Sequence, residues 1–261
     1  MRRRELMLLL GGAMATARTL GAQQTARPVV GYLASGSPSP NSPNAVAFRQ
    51  GLGETNYVEG QDLTIEYRGA EGHYDRLPAL AADLVSRQVD VIAAFTTPSA
   101  LAAKEATSTT PIVFSVGDPI EAGLVASLAR PGGNLTGVSV LSVELMAKRL
   151  ELLSELVPQA RVIALLVNPN YSMTERIIRD VQEAARTKGV QLPIVKADTE
   201  SEIDAAFASL VELHAGALLV GGDPFFANRR DQLVALAARN AVPAMYYWRE
   251  FAAEGGLASY G

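Results

Sequence analysis

The residues able to do chemistry in this sequence are polar and aromatic side chains that follow short apolar runs. Ser35 and Ser37 come after the run 29–33, Thr96, Thr97 and Ser99 after 89–95, and Asp118 after 111–115. Asn168, Asn170 and Tyr171 follow 162–167, Asp223 follows 217–220, and Tyr246-Tyr247-Trp248 with Glu250 closes the last run. Their chemistry is that of holding a small molecule. Thr97 and Ser99 stand at a predicted helix start, where hydroxyls beside free backbone N–H groups make a cradle for a carboxylate. Asp118 can answer an ammonium group, and Tyr171 and Trp248 offer a large contact area to an apolar or ring-bearing ligand. A plainer reading stands beside each: helix capping explains Asp118 and Asp223, and adjacent Tyr246 and Tyr247, on opposite faces of a strand, put at least one ring in the core.

Signatures of catalysis are sparse. There is no Gly-x-Ser-x-Gly elbow, no Walker loop, no His-Glu-x-x-His, and no Gly-x-Gly-x-x-Gly after the first apolar run. His73 and His214 are the only histidines and cysteine is absent, so a structural zinc site is not expected. No cofactor is expected either.

The loops must be positioned by the elements that precede them. An apolar run, then Gly-Asp-Pro, then a helical pattern occurs twice, as Pro111-Ile-Val-Phe-Ser-Val-Gly117-Asp118-Pro119 and as Ala217-Leu-Leu-Val-Gly-Gly222-Asp223-Pro224. In each copy a buried strand ends at glycine, Asp caps the next helix, and Pro takes the first helical position, where no N–H is needed. Strands are predicted over 29–33, 63–67, 89–95, 111–115 and 135–139, and again over 162–167, 191–195, 217–220, 244–247 and 257–260. Helical spacing fills the intervals, including 75–86, 143–156, 174–188, 200–214 and 228–240. Such β-α alternation specifies parallel sheets covered by helices. The expected architecture is α/β, with two doubly wound lobes over 28–138 and 139–261 facing each other across a cleft and hinge. Ligands bind such sheets beyond the carboxyl ends of the strands. The second array stops on a fresh strand, so its end looks incomplete.

Composition bounds the partners. The chain has 261 residues, 48% apolar and 19% charged, which suits a folded globular protein of two domains. Arg2-Arg3-Arg4 before an apolar stretch to Ala17, then Leu20-Gly21-Ala22, reads as an export signal over 1–22, twin-arginine-like or Sec. An uncleaved anchor is the alternative, disfavoured by the short apolar core. Removing the signal takes four Arg and one Glu from 23 basic and 27 acidic residues, leaving 19 and 26, a net charge of −7. An acidic chain without a basic cluster is not expected to bind nucleic acid, and no stable membrane insertion is expected once the signal is cleaved.

Phe48-Arg-Gln-Gly-Leu52, Tyr57-Val-Glu-Gly-Gln61, Glu66-Tyr67-Arg68, Tyr74-Asp-Arg-Leu-Pro78, Pro111-Ile-Val-Phe114, Pro131-Gly-Gly-Asn-Leu-Thr-Gly137, Lys148-Arg-Leu-Glu-Leu-Leu153 and Gly255-Gly-Leu-Ala-Ser259 resemble the substrate-binding proteins of ABC transporters of the tryptophan/tyrosine type. The resemblance spans nearly all of the chain after the signal. It implies a type I periplasmic-binding-protein fold closing on a small ligand by hinge motion, a periplasmic location, and a permease and an ATPase as partners. It also implies a return of the chain to the first lobe beyond Ser259 that this sequence lacks. The loop Asn168-Pro-Asn-Tyr171 and the Pro after Asp223 depart from the family pattern, so the ligand does not carry over. An aromatic or apolar amino acid leads, with an amphipathic organic acid behind it.

The expected function is therefore a non-enzymatic solute receptor, with the ligand carboxylate at Thr97–Ser99, any amine at Asp118, and Tyr171 and Trp248 covering the side chain. The competing readings are a periplasmic sensor domain of the same fold and a Rossmann-like enzyme. Lack of a phosphate loop and of a nucleophile–base pair counts against the enzyme.

Overall fold

A computed structural model describes residues 27–261; the predicted export signal lies outside the described residues. Two five-stranded sheets, each wholly parallel, form two lobes. Val29–Ala34 (β1), Thr64–Gly69 (β2), Val91–Ala94 (β3), Ile112–Gly117 (β4) and Leu135–Val140 (β5) make the first, in the order β2-β1-β3-β4-β5. Ile163–Val167 (β6), Ile194–Lys196 (β7), Ala217–Val220 (β8), Ala244–Tyr246 (β9) and Ala258–Ser259 (β10) make the second, in the order β10-β9-β8-β6-β7. These are the doubly wound lobes that the alternating pattern predicts.

The strands form where the sequence offers runs buried on both faces. Every residue of β6 and of β8 is buried. In the first lobe Pro43–Glu54 (α1) covers one face, where Val30, Tyr32, Ala45, Ile65 and Ala93 pack together. Leu77–Ser86 (α2) and Thr97–Ala106 (α3) cover the other, around Leu77, Leu84, Ile92, Ala103 and Phe114. In the second lobe Met146–Leu156 (α4) and Thr174–Lys188 (α5) bury Leu150, Leu153, Ile177 and Val181 against Leu165 and Leu219. Glu200–Glu212 (α6), Pro224–Asn228 (α7), Arg230–Arg239 (α8) and Arg249–Ala253 (α9) close the opposite face.

Several elements differ from the spacing-based expectation. The first Gly-Asp-Pro caps no helix: Asp118, with φ +35°, and Pro119 lead into turns, and the helix predicted over 143–156 starts at Met146. The strand predicted over 191–195 starts at Ile194, because Pro193 has no N–H to give a ladder. The helix predicted over 228–240 is two: α7 begins at the Asp223 cap, and a break at Arg229 turns the chain into α8. The helix predicted over 75–86 starts as a single 3₁₀ turn, Tyr74–Arg76, ahead of Pro78. The last two place Asn228 and Arg230 at the cleft and Tyr74 against the second lobe.

β5 is the edge of the first sheet, and Val113, Val138 and Val140 near it are exposed. After β5 the chain crosses to the second lobe. Arg149, buried on α4, donates to the Ser142 carbonyl of that crossover (2.7 Å) and to the Tyr260 carbonyl after β10 (2.6 Å). Among the described residues no carboxylate pairs with it, and burial pulls its guanidinium down to about 10.

Candidate functional site

In a doubly wound sheet, the loops after two neighbouring strands part where the strand order reverses, and a crevice opens there. In the first lobe that point lies between β1 and β3, in the second between β6 and β8. Each crevice is closed at its floor by a hydrogen bond between the two loops. Ser35 after β1 meets Thr96 after β3, oxygen to oxygen at 2.5 Å. Asn168 after β6 donates to Asp223 Oδ1 after β8 at 3.3 Å.

Thr96 also caps α3. Its Oγ1 accepts from the Ser99 N–H (3.3 Å), and the Ser99 Oγ accepts from the Thr96 N–H (3.2 Å), the reciprocal pair of a capping box. Ser99 is thus committed to the helix start, and both it and Thr97 are buried. The Thr97 hydroxyl has no hydrogen bond of good geometry, though it lies against the Tyr171 phenol from the second lobe.

A cavity of about 570 Å³ lies between the lobes. Of the fourteen residues singled out from sequence, Ser35, Ser37, Thr96, Trp248 and Glu250 line it. The first lobe adds the hydroxyl- and amide-rich loop from Gly36 to the Ser42 cap, with Pro43 and Asn44 at the start of α1. Its floor is aromatic: Tyr32 and Phe95 line the cavity and pack with Phe48, ring centroids 5.2–5.5 Å apart. Pro224, Asn228 and Arg230 complete the second-lobe wall, where Trp248 is 41% exposed. Rings on two sides with hydroxyls, amides, one cation and one anion around them suit a small amphipathic molecule carrying a ring.

The other nine residues lie outside the cavity wall. Asp118, expected to face an ammonium, has the Arg176 guanidinium of α5 there instead, bridging the lobes. Its Oδ1 accepts from the Glu121 N–H at 3.1 Å. Burial raises the Asp118 carboxyl, but the Arg176 hydrogen bond and backbone N–H groups outweigh it and hold the group below its ordinary value. Arg176 also meets Glu121 at 2.9 Å, and Arg179 joins Glu121 at 3.3 Å. Asp223 is 2% exposed and caps α7 through the Phe225 N–H (2.7 Å). Tyr74, from the first lobe, donates to Asp223 Oδ1 at 2.9 Å. Asn168 and Tyr171 are buried. Thr97, Asp118, Tyr171 and Asp223 therefore all meet the opposite lobe, but with protein groups in front of them. The lobes are closed on each other.

Sequence reasoning passed over Tyr32, Phe95, Asn228, Arg230, Tyr74 and Arg176. Tyr32 and Phe95 read as strand residues and nothing more. Asn228 reads as the start of a helix; only the break at Arg229 turns it and Arg230 to the cleft. Arg176 is one basic residue on an amphipathic helix, and no local signal marks it.

Two doubly wound lobes closed over an amphipathic cavity define a type I periplasmic-binding-protein-like fold, built to enclose a small solute. The family model described as ABC transporter substrate binding protein matches residues 44–261, and the chain belongs to that family. A tyrosine-binding protein of Clostridioides difficile (strain R20291) is 31% identical over 216 residues, 82% of this chain and 61% of that relative, so this chain spans about three fifths of the relative's length. The crystal structure of a conserved domain protein from Vibrio cholerae superposes with a TM-score of 0.80 at 27% identity, over 89% of this chain and 78% of the other. An ABC domain in complex with L-Trp from Streptococcus pneumoniae gives a TM-score of 0.78 at 24% identity over the same shares.

Proposed function

We propose that the protein is an extracytoplasmic receptor that captures an aromatic amino acid, or a similar amphipathic acid bearing a ring, and delivers it to the permease and ATPase of an ABC importer. The observation that carries this reading is the interlobe cavity, with Tyr32 and Phe95 on one side and Trp248 on the other. The ring lies between these aromatics. The carboxylate lies on the first lobe, among Ser35, Thr96 and the start of α1, where hydroxyls and the helix dipole favour an anion. Glu250 faces the ammonium. The tyrosine bound by the Clostridioides difficile relative and the L-Trp in the Streptococcus pneumoniae complex are ligands of this class. Binding, not turnover, is the work of such a site: selectivity comes from buried polar groups that only the right ligand pairs. A periplasmic location follows from this role and agrees with the export signal read at 1–22; among the described residues no helix is long and apolar enough to cross a membrane.

The test is a calorimetric titration with L-tyrosine, L-tryptophan, L-leucine and 4-hydroxybenzoate. Trp248 is the only tryptophan, so its fluorescence reports on the same cleft. Binding of a ring-bearing acid with a change in Trp248 emission supports the reading; no binding by any of the four refutes it.

A further inference from the structure

Among the described residues Asp223 is the one buried carboxylate, and the cavity does not use it. Its two oxygens are treated unequally. Oδ1 accepts from the Tyr74 phenol (2.9 Å), the Phe225 N–H (2.7 Å) and the Asn168 amide (3.3 Å). Oδ2 is buried and makes no hydrogen bond of good geometry, though the Phe226 N–H also acts on the carboxylate. Tyr74 reaches across from the first lobe, and its oxygen also accepts from the Phe225 N–H at 3.0 Å. A single first-lobe phenol thus engages both the carboxylate and the helix start that it caps.

We propose that Tyr74 and Asp223 form the joint that holds the lobes closed, and that closing takes up a proton on Asp223 Oδ2. The inference rests on the receptor reading in one respect only, that the lobes open and close. A buried carboxylate with one oxygen poorly paired is costly while charged. A proton on Oδ2 removes the charge and leaves the three hydrogen bonds to Oδ1 intact.

The surroundings offer no counter-charge. The groups facing the carboxylate are the phenols of Tyr74 from the 3₁₀ turn, Tyr171 from the loop after β6, and Tyr247 after β9, whose hydroxyl donates to the Asp223 carbonyl at 2.6 Å. Burial raises all three phenols, so they stay neutral. Glu144 acts on Tyr171 and Arg149 on Tyr247, each at one remove. Burial lifts the Asp223 carboxyl from its ordinary 3.8 to about 6, against the pull of its hydrogen bonds. When the lobes part, Tyr74 leaves with the first lobe, water reaches the carboxylate, and its acidity moves back toward the ordinary value.

A group whose affinity for protons is raised in the closed state favours closing as pH falls through about 6. Asp118 works the other way, since Arg176 holds it below its ordinary value; its contribution is fully present above about pH 4 and is lost only in stronger acid. Between pH 7.5 and 5 the dependence therefore belongs to Asp223. Values of 3.8 open and about 6 closed make the closing constant rise about tenfold over that range.

Small-angle scattering of the ligand-free chain at pH 7.5, 6.5, 5.5 and 5.0 reads the open-to-closed ratio directly. The wild type is expected to shift toward closed by up to about tenfold. Asp223→Asn, which keeps an acceptor for the cap and carries no charge, is expected to stay closed at every pH. Tyr74→Phe removes a donor to the ionised form, so it is expected to be more open at pH 7.5 and to show its transition at higher pH. Circular dichroism verifies that both variants fold, and Tyr74→Phe serves alone if Asp223→Asn does not. A wild-type profile unchanged across the range overturns the proposal, as does a pH dependence that survives in Asp223→Asn or is unaltered in Tyr74→Phe. Since no ligand enters this measurement, a failure of all four solutes to bind sinks the receptor reading without deciding this one.

Discussion

Replacing Arg176 by Met separates the two roles open to Asp118. The guanidinium is 17% exposed and the Asp118 carboxylate 20%, and the pair joins helix α5 of the second lobe to a loop of the first. Exposed pairs contribute about 0.2–1 kcal/mol, and breaking a buried pair costs about 3–5 kcal/mol. Asp118 keeps its hydrogen bond from the Glu121 N–H when Arg176 is removed, so it is not stranded. An intermediate loss of about 1–2 kcal/mol follows. Because the pair spans the lobes, both partners return to water on opening, and the whole loss falls on closing. Arg176→Met should therefore weaken L-tyrosine binding by about 5- to 30-fold. Calorimetry on the wild type, Arg176→Met, Asp118→Asn and the double variant measures the coupling, which should match that loss. In 1 M salt, where the Debye length is about 3 Å, the wild type should lose affinity and Arg176→Met should lose less. Coupling near zero would refute the role of the Arg176–Asp118 pair in closing. If Asp118→Asn abolished binding while Arg176→Met tightened it, Asp118 would be the partner of the ligand's ammonium, as its place in the sequence first suggests.

Trp248→Ala should weaken L-tyrosine binding at least tenfold by calorimetry, since it removes one wall of the ring site, while Trp248→Phe should recover most of the loss. Thr96→Ala removes the α3 cap and leaves Ser35 without its 2.5 Å partner, so chemical denaturation should show a loss of about 1 kcal/mol together with weaker binding. Leu165→Ala, on fully buried β6 between β8 and β7, should cost about 2–5 kcal/mol by denaturant titration with the slope unchanged.

Periodicity and punctuation carried the fold in this sequence. Apolar runs that end at Gly-Asp-Pro or Thr-Thr-Pro state locally where a buried strand stops, and β4, β8 and β3 end there; a capped helix follows at Thr-Thr-Pro and at the second Gly-Asp-Pro, whereas Asp118-Pro119 leads into turns. Chain order also limits strand order, so the residues after β1, β3, β6 and β8 had to gather at two crevices. Which of those residues would face a solute and which would face the opposite lobe was settled only in three dimensions. Asp118 and Asp223 have the same local grammar, yet one meets Arg176, 58 residues later, and the other meets Tyr74, 149 residues earlier. Those partners depend on how two lobes approach each other, a distance in space that no spacing along the chain encodes.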